Sequence, residues 1–578
     1  MSSEAKTKIV RAFMERGILL SEDVIEQINY DNYSDFESAM TDVKLGEEQF
    51  FLDALTLSKI SKLKQKPINI QPNIQISAIE INNQPQIVSQ QSTALILEPP
   101  LEDKQGIETL NQESEQEAES SAEIAAALIE KYEVKLTALQ DQDSQTSKQN
   151  IPQIQDPTQD PLRKVKVLFS YCGESKKRYV EDFVAHFNKR YEAIKKILLN
   201  RQELVNLLSI NKILNKKEKE NVSIIGIVME KNITKAKNIL LKIEDTTGQI
   251  SVVINKTKPD VFEIAKNIIE DEVIGLAGFN DKDVIFANKI LLPDIYPREL
   301  KKSPNQEYAV FLSDIHVGSR FFLEEKFLKF IEWINGNMGS DEQKTLTKNI
   351  KYVFIIGDLV DGVGIYPEQD KELIIKDIYQ QYSVFTEMIS KIPKEITIIL
   401  CAGNHDASRL SEPQPILSGE FVKQLLELPN IVFVSNPAMV NIGADDTFPG
   451  FDILMYHGYS FDYYISNVDY IRNNGGYDRA DLVMKFLLQR RHLAPTHTSS
   501  LYIPDSASDP LVISHIPDFF VTGHIHKTSI ANYHHITLIS GSCWQSTTTF
   551  QEKVGHKPEP ARVPIVNLQT REVKVLRF

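Results

Sequence analysis

The chain has 578 residues, 42% of them hydrophobic, a net charge of −15 and three cysteines. That length exceeds what one hydrophobic core supports and predicts roughly three or four folding units. No apolar run reaches the roughly 18 residues of a membrane span, the opening Met1-Ser2-Ser3-Glu4-Ala5-Lys6 lacks a signal peptide's hydrophobic stretch, and Cys172, Cys401 and Cys543 are too dispersed for a zinc knuckle or disulfide framework, so a cytoplasmic protein is expected whose metals, if any, are held by His, Asp and Asn.

In chain order, residues 1–64 read as a small helical N-terminal domain, with Ile9, Val10, Phe13, Ile18 and Leu19, then Phe50, Phe51, Ala54 and Leu55, at helical spacing. Residues 65–162 turn to Gln, Ser, Asn, Pro and Glu, a composition that cannot bury enough apolar area to offset the entropy of ordering, and predict a disordered acidic linker. Residues 101–160 hold 14 acidic and 4 basic side chains, or −10, which leaves −5 for the other 518 residues. The acidity is therefore local and does not exclude a nucleic-acid partner, because phosphate binding answers to local basic patches. Within this stretch Glu113 to Leu139 is rich in Ala, Glu and Lys and is a candidate transient helix.

Residues 163–218 predict a helical lead-in, with an apolar row at Val180, Phe183, Phe187, Tyr191, Ile194, Ile197 and Leu198. Residues 219–297 predict an OB-fold: five short β-branched runs (222–228, 239–243, 250–254, 273–276 and 284–287), with a helix-like segment, 261–269, between the third and fourth. Such barrels bind single strands or partner proteins, but few aromatics lie on these strands to stack bases, and a purely structural barrel is an equal reading.

Residues 298–578 carry the chemistry. Eleven of the twelve histidines lie after residue 300, and five of these fall in short motifs that each follow an apolar run. Tyr308–Ser313 leads into Asp314-Ile315-His316, Tyr352–Ile356 into Gly357-Asp358-Leu359-Val360-Asp361, and Ile396–Cys401 into Gly403-Asn404-His405-Asp406. Ile453–Tyr456 then precedes His457-Gly458, and Phe519–Thr522 precedes Gly523-His524-Ile525-His526. Residues two apart at a strand end project to one side, where both can reach one cation. From Asp314 to Asp358, Asn404, His457 and His524 the spacings are 44, 46, 53 and 67 residues, room each time for strand, helix and loops, which predicts a layered α/β domain whose loops converge on one rim. Carboxylate and amide oxygens mixed with imidazole suit Mn²⁺, Fe, Zn²⁺ or Mg²⁺, and two such cations about 3.5–4 Å apart acidify a bound water while neutralising a phosphate. Each motif alone is weak, and for Asp361 a loop hydrogen bond is at least as good a reading as a direct role.

The five motifs in this order resemble the signature of the calcineurin-like metallophosphoesterases. The resemblance implies a four-layer domain with two divalent metals, Mn²⁺ first among them. It implies that Asp314, His316 and His526 hold one metal, that Asn404, His457 and His524 hold the second, and that Asp358 bridges both. It makes His405 the non-ligand histidine that protonates the leaving oxygen or stabilises the transition state, with Asp406 orienting its ring.

The stretch His405-Asp406-Ala407-Ser408-Arg409-Leu410-Ser411-Glu412-Pro413-Gln414-Pro415 goes further, as do Arg490-Arg491-His492-Leu493-Ala494-Pro495, Ile516-Pro517-Asp518-Phe519, Gly541-Ser542-Cys543-Trp544-Gln545-Ser546 and Thr549-Phe550-Gln551. These resemble the small-subunit family of archaeal D-family DNA polymerases over residues 163–578, and more loosely over 1–64. That resemblance implies metal-dependent 3′-to-5′ hydrolysis of DNA 3′ ends in proofreading and a nucleoid-associated location. The implied partner is the large catalytic polymerase subunit in a heterodimer or larger assembly, with the sliding clamp and primase as further candidates and no membrane. Arg409 is a candidate phosphate contact or a loop-supporting salt bridge. Competing readings are a non-catalytic polymerase assembly subunit and a DNA-repair nuclease of the same superfamily. A phosphoprotein phosphatase is disfavoured, because Gly362 stands where that class carries Arg.

Overall fold

The computed structural model describes residues 164–173, 176–553 and 556–578, together with the strands β1 (Leu19–Leu20) and β2 (Phe51–Leu52). The chain divides into two compact units, Met1–Asp103 and Lys104–Phe578. In the first, β1 and β2 pair in parallel, so Leu19 and Phe51 are strand residues and not the helical positions their spacing suggested. A two-residue apolar step satisfies either period, and only pairing decides it. The rest of the expected helical domain, the linker and the Glu113 to Leu139 helix lie outside the described residues.

Two six-stranded sheets form the centre of the second unit. One has the order β12 (Ile431–Phe433), β11 (Thr397–Cys401), β10 (Ile350–Ile356), β9 (Tyr308–Leu312), β18 (Arg562–Asn567), β19 (Val573–Arg577), with β9 to β12 parallel. The other has the order β16 (Ser529–Tyr533), β17 (Ile536–Ser540), β15 (Phe519–Thr522), β14 (Phe451–Met455), β13 (Ala438–Ile442), β3 (Val165–Ser170), with β14, β15 and β17 parallel.

Side-chain alternation explains why these strands are apolar throughout. Along β9 and β10, Ala309, Phe311, Tyr352, Phe354 and Ile356 enter the core between the sheets, where they meet Phe451, Ile453, Met455, Phe519 and Val521. Their alternates Val310, Leu312, Val353 and Ile355 face outward into a second core with Phe327, Phe330 and Trp333 of the helix Glu324–Ile334 and Tyr382, Phe385 and Met388 of the helix Ile378–Ile389. Leu454, Phe520 and Leu538 of the other sheet face a third core with Val483, Phe486 and Leu487 of the helix Ala480–Arg490. Four layers result, and a strand covered on both faces needs apolar residues at every position.

The region expected to be barrel-like forms a closed five-stranded barrel from β4 (Asn221–Ile233), β5 (Ile239–Asp245), β6 (Gly248–Ile254), β7 (Val273–Asp281) and β8 (Val284–Leu291), in the order β4-β5-β6-β8-β7. The helix Pro259–Lys266 connects β6 to β7. The lead-in differs from a purely helical one. It begins with β3, which pairs antiparallel with β13 and completes a sheet whose other strands lie beyond residue 437. Its helix Val180–Leu198 buries Tyr191, Ile194 and Leu198 against the barrel's Ile225, Ile227 and Val273, whereas Val180 and Phe183, expected in the same buried row, are exposed. On the double-sheet side, Asp509 accepts from Arg190 Nε at 2.7 Å and from His492 Nε2 at 2.8 Å, all three buried. The barrel's Glu272 pairs with Arg490 at 2.8 Å. These buried contacts fix the barrel and the double-sheet domain as one body. No helix among the described residues is long and apolar enough to cross a membrane.

Candidate metal centre

All five motifs lie in the loops that leave the C-terminal ends of β9, β10, β11, β14 and β15, and those loops converge because their strands are central neighbours in the two sheets. Asp314, His316, Asp358, His524 and His526 adopt φ between 50° and 68°, a left-handed region uncommon for non-glycine residues. That five candidate ligands share it marks strain held by the surrounding structure in order to aim side chains. Two glycines make room. A Cβ on Gly403 would fall 2.2 Å from Asp358 Oδ1, and one on Gly523 would fall 2.6 Å from Asp314 Oδ2.

The donors gather in two sets around Asp358. In the first, His316 Nε2 and His526 Nε2 face each other at 3.1 Å, and Asp314 Oδ1 lies 3.4 Å from His526 Nε2. In the second, Asn404 Oδ1 lies 2.9 Å from His457 Nε2 and 3.0 Å from His524 Nδ1. Asp358 Oδ2 sits between the sets, 3.8 Å from His316 Nε2 and 3.4 Å from His457 Nε2. All seven residues singled out as ligands are therefore brought together. Donor atoms of Asp314, His316 and His526, of Asp314, Asp358 and His457, and of His316, Asp358 and His405 each fall within 4.8 Å of one another. Buried carboxylates facing imidazole nitrogens fit divalent cations.

Burial alone would raise the Asp358 carboxyl, but the imidazoles of His457, His405 and His316 hold it well below the usual carboxylate range. Burial opposes charge on His457 too, yet Asp358 carries it up to about 10.

Each imidazole is oriented through its far nitrogen. His316 Nδ1 donates to Asp361 Oδ1 at 3.1 Å, and His457 Nδ1 donates to the Ile356 carbonyl at 2.8 Å. His524 Nε2 lies 2.8 Å from Asp462 Oδ2, and His526 Nδ1 lies 2.8 Å from the Gln551 side-chain amide. The acceptor partners of His316, His457 and His524 hold the far N–H and leave the other nitrogen free for a cation, whereas the Gln551 amide N–H donates to His526 Nδ1. Asp361 is thus more than a loop hydrogen bond; it also accepts from Gln369 Nε2 and Gln545 Nε2. Sequence reasoning missed Asp462, which no strand-end motif contains, and gave Gln551 no role.

His405 departs from expectation in one respect. Its backbone N–H donates to Asp358 Oδ1 at 2.8 Å, and its Nδ1 lies 2.7 Å from the carbonyl oxygen of Asp361, so that carbonyl and not Asp406 orients the ring. Asp406 is buried and turned away, accepting from Leu359 N, Gly403 N and Tyr382 Oη, because three donors on the loop floor outcompete the neighbouring ring for its carboxylate. Burial and the Asp358 charge push its pKa up to about 7. Arg409 donates to the carbonyls of Ser411 and Pro413, so it supports its loop through main-chain oxygens and not through a salt bridge.

A double-sheet domain with this constellation at its rim is a calcineurin-like phosphoesterase, and the family model of that description matches residues 309–528. Over a longer stretch the chain is 38% identical to the DNA polymerase II small subunit of Methanothermobacter thermautotrophicus across 399 residues, 69% of this chain and 80% of the relative. It is 36% identical to the protein of that name from Archaeoglobus fulgidus over 72% of this chain and 80% of the relative, and 37% identical to the one from Pyrococcus furiosus over 70% and 65%. The chain belongs to the family of archaeal DNA polymerase II small subunits.

Proposed function

We propose that this protein removes nucleotides from DNA 3′ ends as the metal-dependent proofreading exonuclease of a D-family polymerase, and that it also supports the large catalytic subunit. The observation that carries the reading is Asp358 Oδ2 between two complete donor sets, each with its own oriented imidazoles.

Asp314, His316 and His526 would hold one cation, Asn404, His457 and His524 the other, and Asp358 both, with Mn²⁺ the ion we assign. Two divalent ions there would supply charge to neutralise the scissile phosphate and acidify a water. His405 does the proton work: the Asp361 carbonyl accepts from Nδ1–H, so the ring exchanges its proton at Nε2, from which the leaving 3′ oxygen is protonated. Asp406 is a positioning residue that ties the His405 loop to Leu359 and Tyr382. We read the closed barrel as an OB-fold and place the domain boundary before β3 in space, although the barrel interrupts the domain in sequence. The relatives are named small subunits, and from that name comes the partner, a large polymerase subunit.

The test is cleavage of a 3′-mismatched primer by the full chain, alone and with its co-purifying partner, with Mn²⁺ and with chelator. Shortening from the 3′ end that chelator stops is expected. Metal-bound protein that leaves the primer intact in both states would favour a non-catalytic assembly subunit.

A further inference from the structure

A cavity of about 510 Å³ opens beside the metal centre and is used by nothing described so far. It shares a wall with the centre, since His526 and Gln551 line it, and its floor includes Ile525, the buried residue between the two ligands of Gly523-His524-Ile525-His526. Tyr477 and His556 meet edge to face and form an aromatic corner. The helix Phe461–Asn467 gives Ile465 and Ser466 to the lining and carries Asp462, which holds His524. One wall therefore reaches the first donor set and the other reaches the second. Arg472, Lys527 and Lys557 line the cavity with one carboxylate, Asp478; Lys527 pairs with Asp478, and Arg472 pairs with Asp469 outside the lining.

We infer that this cavity receives the terminal nucleoside of the DNA 3′ end, an inference that rests on the nuclease reading above and supplies its selectivity. The volume is that of a small-ligand site, enough for one nucleotide and not for a base pair with its backbone. The aromatic corner offers a face on which any base can stack, and the cations attract the phosphate backbone. Hydrolysis then balances simply. The bond from phosphorus to the O3′ of the penultimate nucleotide breaks, a water oxygen joins the phosphorus, a proton passes to O3′, and the cavity is left holding a nucleoside 5′-monophosphate. A paired end must unpair to enter, and unpairing costs least at a mismatch.

Two variants of the full chain test this. Ser466→Trp places a bulky ring in the cavity from a residue that is exposed and no candidate ligand, and His556→Ala removes half of the aromatic corner. Calorimetric binding of 2′-deoxyadenosine 5′-monophosphate to the Mn²⁺-loaded protein is read beside kcat/KM on a single-stranded 3′ end. Bound manganese per chain reports separately on the metal centre. Both variants are expected to keep their manganese and to lose about tenfold or more in binding and in kcat/KM, the equivalent of one stacking contact. Unchanged nucleotide binding in both variants overturns the assignment. If the parent protein cleaves no DNA, the nuclease reading fails by itself, and monophosphate binding lost in Ser466→Trp still upholds the cavity as a nucleotide site.

Discussion

His405 Nδ1 rests 2.7 Å from the carbonyl oxygen of Asp361, the residue whose carboxylate holds His316 from its other end. One loop residue thus fixes the ring assigned to proton transfer with its main chain and a ring assigned to a metal with its side chain. A shift of that loop moves both together.

His405→Ala removes the proposed proton donor while leaving seven candidate ligands. Single-turnover cleavage of a 3′-mismatched primer should fall by about 10²–10⁴-fold with metal stoichiometry unchanged. Loss of one metal in this variant would make His405 a ligand, as its grouping with His316 and Asp358 allows.

Asp358→Ala has the opposite signature. Because Oδ2 faces both donor sets, both cations should weaken together and hydrolysis should vanish while partner binding is kept. Metal content measured after dialysis decides it; two tightly held ions and full activity rule out the bridging role.

Asp361→Ala and Asp462→Ala release one oriented imidazole each, His316 and His524 respectively. Each should lower metal affinity by about 10–100-fold, the range found for such outer partners. Because the two carboxylates serve different donor sets, a metal titration should show different steps weakened in the two variants. The same step affected in both would mean that the sets are not separate sites.

Glu412 gives a pH test at a residue that is not itself a candidate ligand. It is buried, it accepts from Tyr456 Oη and Ser500 Oγ through Oε2, its Oε1 is without a hydrogen-bond partner, and burial pushes its pKa up to about 7. A folded-state pKa raised above the unfolded value means that the folded protein keeps a proton the unfolded chain gives up. The contribution is present below about pH 4.5 and is lost as pH rises through about 7. The shift corresponds to about 3 kcal/mol. Glu412→Gln should remove this slope, so its melting temperature should exceed the parent's at about pH 8 by more than at about pH 5. Parallel pH profiles would show that Glu412 is not the titrating group.

The motifs that carry every proposed ligand were legible in the sequence because each repeats a local pattern: an apolar run that must be a doubly covered strand, then Asp, His or Asn within a few residues of its end. The five strands and the helix of the barrel were legible for the same reason, since alternation and turn residues are local. What the sequence did not contain in local form is the company each ligand keeps. Asp361 reaches His316 across 45 residues, Asp462 reaches His524 across 62, and Gln551 reaches His526 across 25, none with a period or spacing that marks it. The ring of His405 chose a distant carbonyl over its own neighbour Asp406, whose carboxylate was already taken by three donors. β3 joined a sheet whose remaining strands lie more than 250 residues away. These are decisions of packing: a buried polar group must find a partner wherever the folded chain brings one, and only the tertiary structure says where that is.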